Sequence, residues 1–245
     1  MSSGSPLQVS NQSIRQVSTT RKMALGTISA TPDGRTYRYS RANSSVDLVA
    51  AQAQAAPTTI GATHTNLAVG AAAAVDALEV TNITIGATAL TADQYRDGYL
   101  TVQDNAGEGF TYQINGHSAY DSTATTVKIS LRDPLEIALT TASEVTLAYN
   151  PWDLVVVSAT DQADLPTGIT HRAVDVSVAR YYWSQTGGIA AVVSDEDNAV
   201  GTQLTTGTGT AGHLEAVDAV AEHVVAHAYE LGVAGEEQLA FLVLD

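Results

Sequence analysis

Apolar and polar residues alternate in short runs over most of this chain. LEVTNITIG (78–86), YLTVQD (99–104), GFTYQIN (109–115), TTVKISL (125–131) and SEVTLAY (143–149) each predict one strand, rich in β-branched and aromatic residues. Turn signals separate them: Asp97-Gly98, the stretch from Asn105 to Gly109, Asn115-Gly116 and Asp133-Pro134. Strands at this spacing predict an antiparallel sandwich or barrel rather than a parallel α/β sheet. Asn150-Pro151 marks a boundary, and beyond it WDLVVVSA (152–159), RAVDVSV (172–178), ARYYWSQ (179–185), IAAVVS (189–194), HVVAHAY (223–229) and QLAFLVL (238–244) predict a second β unit. The double glycine 187–188 is expected to turn the chain between two of these strands.

The N-terminal region breaks the pattern. Its first 24 residues are rich in Ser, Gln and Thr, with few large apolar side chains to offset their ordering entropy, and predict an extended arm that gains order against a partner. Pro32-Asp33-Gly34 is a turn signal, and Arg35-Thr36-Tyr37-Arg38-Tyr39 alternates like a strand. VDLVAAQAQAA (46–56) favours helix up to Pro57, and NLAVGAAAAVDALEV (66–80) fits either an Ala-rich helix or a loop leading into a strand. The expected organisation is mainly β with few short helices: an extended basic arm over 1–45, an Ala-rich segment and middle β domain over 46–150, and a C-terminal β domain over 151–245. No period of 20 to 50 residues repeats, which argues against a solenoid or propeller.

Composition sharpens this picture. The chain has two Phe, two Trp and two Met among 245 residues, so its core is expected to be built from small and β-branched side chains. It has no Cys, which excludes disulfides, thiolate metal sites and cysteine nucleophiles. MSSGSPLQVSNQ lacks a basic segment followed by an apolar one, and the longest near-apolar run, AVGAAAAV (68–75), falls far short of a membrane span, so a soluble chain is expected. The net charge is −15, unevenly placed: residues 1–45 hold Arg15, Arg21, Lys22, Arg35, Arg38 and Arg41 against Asp33 alone. An acidic body repels nucleic acid and anionic membrane, while a basic segment seeks an acidic partner. Tyr37 and Tyr39 interleave with arginines, but the patch is too short and its flanks too acidic for a nucleic-acid surface.

Few residues suggest chemistry. Of the three acids Asp195, Glu196 and Asp197, the first and last fit the first and third positions of a calcium loop, but Ala199, Val200 and Thr206 stand where further ligands and a glycine are needed. With Asn198 after them, the three acids read as a solvated hairpin tip rather than a glycosidase pair. Tyr181, Tyr182 and Trp183 read as strand residues at a core edge or a subunit contact. Gly207 to Gly212 satisfies G-x-G-x-x-G, yet GTQLTT before it makes a poor buried strand and too little chain follows for a dinucleotide fold. His223 and His227 are four apart, but Val224 stands where a zincin needs Glu; His213 is the third histidine of this region. No catalytic residue, cofactor or metal ligand is predicted.

Residues 93–157, with DGYLTV, GEGFTYQI, LRDPLEIAL and SEVTL, resemble structural proteins of tailed-bacteriophage heads. The closing part, from YYWSQTGGIAAVVSD to VVAHAYELGVAGEEQLAFLVLD (181–245), is similar to the ending of many head decoration, or cement, proteins, and DGRTYRYSRA (33–42) suits that group. The resemblance implies a non-enzymatic protein that binds the outside of a capsid, commonly as a trimer, and stabilises it. Its partner would be the major capsid protein, and its place the virion exterior after synthesis in the host cytoplasm. On that reading Arg15, Arg21, Lys22, Arg35 and Arg38 are expected at the capsid contact, and Tyr181, Tyr182 and Trp183 near subunit packing. Two other readings are a receptor- or glycan-binding module of a phage tail or fibre, using Trp152 or Trp183, and a hydrolase using paired acids.

Overall fold

The computed structural model describes residues 12–57, 64–85, 89–120, 126–220 and 222–245, and among them the chain forms strands and turns with no α-helix. In chain order the strands are β1 (Ile28–Ala30), β2 (Thr36–Arg41), β3 (Ala53–Ala55), β4 (Leu67–Ala68), β5 (Glu79–Thr84), β6 (Tyr99–Asp104), β7 (Thr111–Gly116) and β8 (Thr126–Leu131). There follow β9 (Glu144–Ala148), β10 (Val156–Val157), β11 (Pro166–Thr170), β12 (Tyr181–Val193), β13 (Gln203–Thr206), β14 (Leu214–Ala216), β15 (Ala226–Ala228) and β16 (Glu237–Val243). Two compact units result, one from Thr59 to Asn150 and one built from the chain up to Thr58 together with Pro151–Asp245. The division at Asn150-Pro151 is the one the turn signals mark. The other division differs from the expected three-part order, because β2 pairs with β12 and β3 with β10 and β11, with β1 on β2, instead of forming an arm and an Ala-rich segment.

The Thr59–Asn150 unit is a six-stranded antiparallel sheet in the order β4-β9-β6-β7-β8-β5. A bridge between Val69 and Ile83 brings its two ends together, so the sheet nearly closes into a barrel. The period-2 pattern gives it an inside: in β8, Val127, Ile129 and Leu131 point into a core shared with Leu100, Val102, Ile114, Val145 and Leu147, while Thr126 and Lys128 face outward. The stretch 66–80, open between helix and loop in the sequence, is a short strand and turns: Ala73 pairs with Leu139, and Asp76 adopts a positive φ of 66°.

The other unit carries a ten-stranded sheet in the order β10-β3-β11-β12-β16-β15-β13-β14, with β2 on β12 and β1 on β2. Its organising strand is β12, thirteen residues long. Tyr181 to Gly187 pair with β2, Ser184 and Gln185 with β11, and Gly187 to Val193 with β16. The double glycine therefore does not turn the chain, as expected from the sequence, but lies inside one continuous strand where β2 hands over to β16. The register against β2 shifts by one residue between Gln185 and Gly187. A one-residue shift reverses which side chains face inward. Before it Trp183 and Gln185 stand opposite Tyr39 and Tyr37; beyond it Ala190 and Val192 join the cluster that holds Ile169, the cross-strand partner of Gln185. Glycine is required because Gly188 has φ 78° and a Cβ there would lie 3.0 Å from Arg35 Cα.

The helix expected over 46–56 is replaced by pairing with neighbours: Leu48 N–H donates to the Val174 carbonyl and Ala53 N–H to the Gly212 carbonyl. Propensity is a weak force beside a sheet edge that satisfies the same backbone groups.

Gly188→Ala is expected to destabilise this unit by about 1–3 kcal/mol, since left-handed strain and the Arg35 contact add. Gly34→Ala, at φ 85° with nothing within 4 Å of the added Cβ, is expected to cost only the strain, about 1 kcal/mol. Urea titration of both variants checks the difference.

Candidate functional site

The acid cluster is a set of loop staples. Asp195 Oδ2 accepts from the Thr210 N–H at 2.9 Å, Glu196 Oε1 from the Ala216 N–H at 2.6 Å, and Asp197 Oδ1 from the Ala234 N–H at 3.0 Å. Three carboxylates adjacent in sequence thus reach three different backbone segments. Gly207 to Gly212 is part of the hairpin loop between β13 and β14, and it wraps the Asp195 carboxylate. A Cβ at Gly209 would stand 3.0 Å from Asp195 Oδ2, and one at Gly207 would overlap it. The glycines serve a close approach to an anion, but that anion is the chain's own side chain. β13, read as a poor strand in the sequence, has three of its four residues buried.

His213 Nδ1 lies 2.9 Å from Asp195 Oδ1, close enough for an ion pair but off the direction of a hydrogen bond. His223 is exposed and lies outside β15, whereas His227 sits within it, so the i, i+4 pair does not share a site. Among the described residues no three His, Asp or Glu side chains are grouped to hold a metal ion.

The aromatic triplet is interior. Tyr182 and Trp183 are 0% and 1% exposed, so of the two expected places, a core edge or a subunit contact, they take the core of their own unit. The Tyr182 hydroxyl donates to Gln54 Oε1 at 2.7 Å, and the Trp183 indole N–H donates to the Gln12 carbonyl at 3.1 Å. Tyr39 meets the Trp183 ring edge-on at 5.3 Å and stacks at 6.2 Å on Tyr181, which is half-buried. Burial pushes the Tyr39 and Tyr182 phenols up from the ordinary tyrosine value. Residues 12–25 close over this cluster: Ile14, Met23 and Leu25 pack on it, and the Ser18 and Tyr181 backbones pair. The expected arm is therefore ordered on its own unit over these residues, because the aromatic cluster supplies the apolar surface that the segment itself lacks; residues 1–11 lie outside the described ones.

The five basic residues have distinct surroundings. Arg15 and Lys22 are exposed, and Arg21 Nε donates to the Met23 carbonyl at 2.8 Å. Arg35 pairs with Asp33 at 2.8 Å on the surface. Arg38 is engaged within the chain: it donates to both carboxylate oxygens of Asp245 at 2.8 and 2.9 Å and lies 4.6 Å over the Trp152 ring. Partial burial pushes the Asp245 carboxyl up, but Arg38 and the Thr186 hydroxyl outweigh it and hold it below its ordinary value. Trp183 in the interior and Trp152 under Arg38 leave neither indole free as a glycan platform.

No family model, curated protein or solved structure matches the chain. Its candidate site therefore rests on geometry alone. The feature that sequence reasoning missed is the outward side of β16, where Leu239, Phe241 and Val243 are exposed while Gln238, Ala240 and Leu242 face the core. The signal was present in QLAFLVL, where positions of both parities are apolar, as in a strand covered on both sides. Beside this row opens a cavity of about 560 Å³ lined by Ala51, Ile189, Ala191 and Leu239, with Asp33, Arg35, Glu237 and His171 among its polar residues. Burial holds the His171 imidazole below its ordinary value, against the opposing pull of the Ile14 and Trp183 carbonyls.

Asp195→Ala is expected to cost about 0.5–1.5 kcal/mol by exchanging the Thr210 N–H bond for one to water, with faster amide exchange over 207–213. Partial burial lowers the His171 pKa in the folded chain, which gives a sign for acid: the unfolded chain takes up that proton first, so stability present above about pH 6.5 declines below it. Thermal unfolding from pH 7.5 to 5 should show this decline, and His171→Gln should make it shallower.

Proposed function

We propose that this chain is a non-enzymatic structural protein that binds the outer surface of a tailed-phage capsid and stabilises it as a homotrimer. The reading starts from the resemblance of 93–157 and 181–245 to head structural and decoration proteins. The observation that carries it here is the use of the chain's reactive-looking groups in its own scaffold: Asp195, Glu196 and Asp197 hold loops, the Gly-rich loop holds Asp195, and the aromatic triplet fills a core. An all-β, acidic chain suits a passive clamp, which gains avidity from many weak contacts rather than from one deep site. In this reading Arg15 and Lys22, exposed on the segment that crosses the aromatic cluster, meet the major capsid protein, and the acidic remainder faces solvent. The reading assigns no cofactor and places the protein on the virion exterior.

Co-sedimentation with emptied heads of its own phage tests this. Wild-type protein is expected to pellet with heads to saturation, and Arg15→Glu with Lys22→Glu to weaken binding by at least about tenfold while the fold is kept. Failure of the wild type to pellet would overturn the reading.

A further inference from the structure

We infer that the outward row of β16 is a contact surface for a second copy of this chain. Leu239, Phe241 and Val243 are 37%, 48% and 40% exposed. Cross-strand pairing extends the row sideways, with Ile189 opposite Phe241 and Ala191 opposite Leu239 on β12. On the other edge the Tyr229 N–H donates to the Leu239 carbonyl at 2.9 Å, and Tyr229 is 61% exposed. The exposed apolar area is on the order of 500 Å², near the upper end for a protein that stays single. It supplies a large part of the roughly 800 Å² per partner of a standard interface.

Charge selects the occupant. A chain of net charge −15 repels its own copies over most of its surface, so they can approach where carboxylates are absent or already paired. Much of this row meets that condition. At the Val243 end Asp245 is held by Arg38 and Arg35 by Asp33, while toward the other end Glu230 accepts from the Leu239 N–H at 2.7 Å and Glu237 is the acid of the row itself. A basic partner would be drawn to the acidic surface elsewhere rather than to a stripe whose centre is apolar. The cavity beside Leu239 and Ala191 gives the row a recess next to its projecting Phe241 and Tyr229, as a self-complementary surface needs. The inference rests on the self-association in the reading above and not on the capsid.

Light scattering of the full chain over a concentration series tests it. Wild-type protein is expected to run as a multimer at micromolar concentration, and Phe241→Glu to raise the dissociation midpoint by at least about tenfold with an unchanged circular dichroism spectrum. Because the chain has no Cys, Leu239→Cys places a single thiol in the row, and its maleimide labelling should slow as concentration rises. A monomer at every concentration overturns the inference, as does a multimer whose midpoint ignores Phe241→Glu or whose Leu239→Cys thiol labels at one rate throughout. Should Phe241→Glu not fold, the thiol decides. A multimer that Phe241→Glu dissociates, in a protein that never pellets with heads, would sustain this inference and remove the capsid reading.

Discussion

The larger unit is organised around one strand that must satisfy several neighbours at once. β12 gives its first half to β2 and β11 and its second half to β16, and the glycines at 187–188 sit where those demands meet. A side chain at Gly188 would press on Arg35, and a strand without the register shift would put either Trp183 or Val192 on the wrong side. The shift lets an aromatic cluster and an aliphatic one lie under the same strand. Residues 12–25, β2 and the C-terminal strand then assemble on it, which brings Asp245 against Arg38 although 207 residues of sequence separate them.

Polar groups follow the same logic of internal use. Arg41 donates to buried Asp153, Gln54 gathers the Tyr182 and Ser184 hydroxyls, and Gln12 receives the Tyr39 hydroxyl. Such bonds add little net stability each, yet each is expensive to leave unmade, so they select one arrangement among many that the small apolar side chains would tolerate. The core mixes Leu, Val and Ala with buried tyrosines such as Tyr37, Tyr39, Tyr95 and Tyr182, whose hydroxyls make that selection matter. The function proposed here asks for well-specified β units with an acidic exterior.

Much of the fold was legible because the period-2 signal is strong where strands are flanked by obligatory turns. In the Thr59–Asn150 unit, YLTVQD, TTVKISL and SEVTLAY lie on β6, β8 and β9 to within a residue or two, and Asp97 and Asn105 take the positive φ their turns imply. Failures came where tertiary contacts set the structure. β11 and β13 escaped notice because PTGIT and QLTT have little apolar content and are buried by neighbours. RAVDVSV alternates well but contributes only the Val174 bridge, and the run 46–56 has helical propensity that sheet pairing overrides. The double glycine looked like a turn because a bulge and a turn need the same residue. The site was less legible: the acid cluster lies in a loop, but the flanking β12 and β13 do not pair, so it is not the hairpin tip the sequence suggests; its backbone partners at 210, 216 and 234 are remote in sequence, and the outward row of β16 becomes visible only once burial assigns the two faces of QLAFLVL.

The central claim is that Tyr181–Val193 is one strand running through its glycines. Residue-resolved amide hydrogen exchange tests it most directly. The amides within 186–190 that donate to β16 are expected to be protected to the same order as the paired amides of 182–185 and 191–193, exchanging with the unit as a whole. Fast exchange at 186–190 between two protected segments would mean a hairpin, and would contradict it.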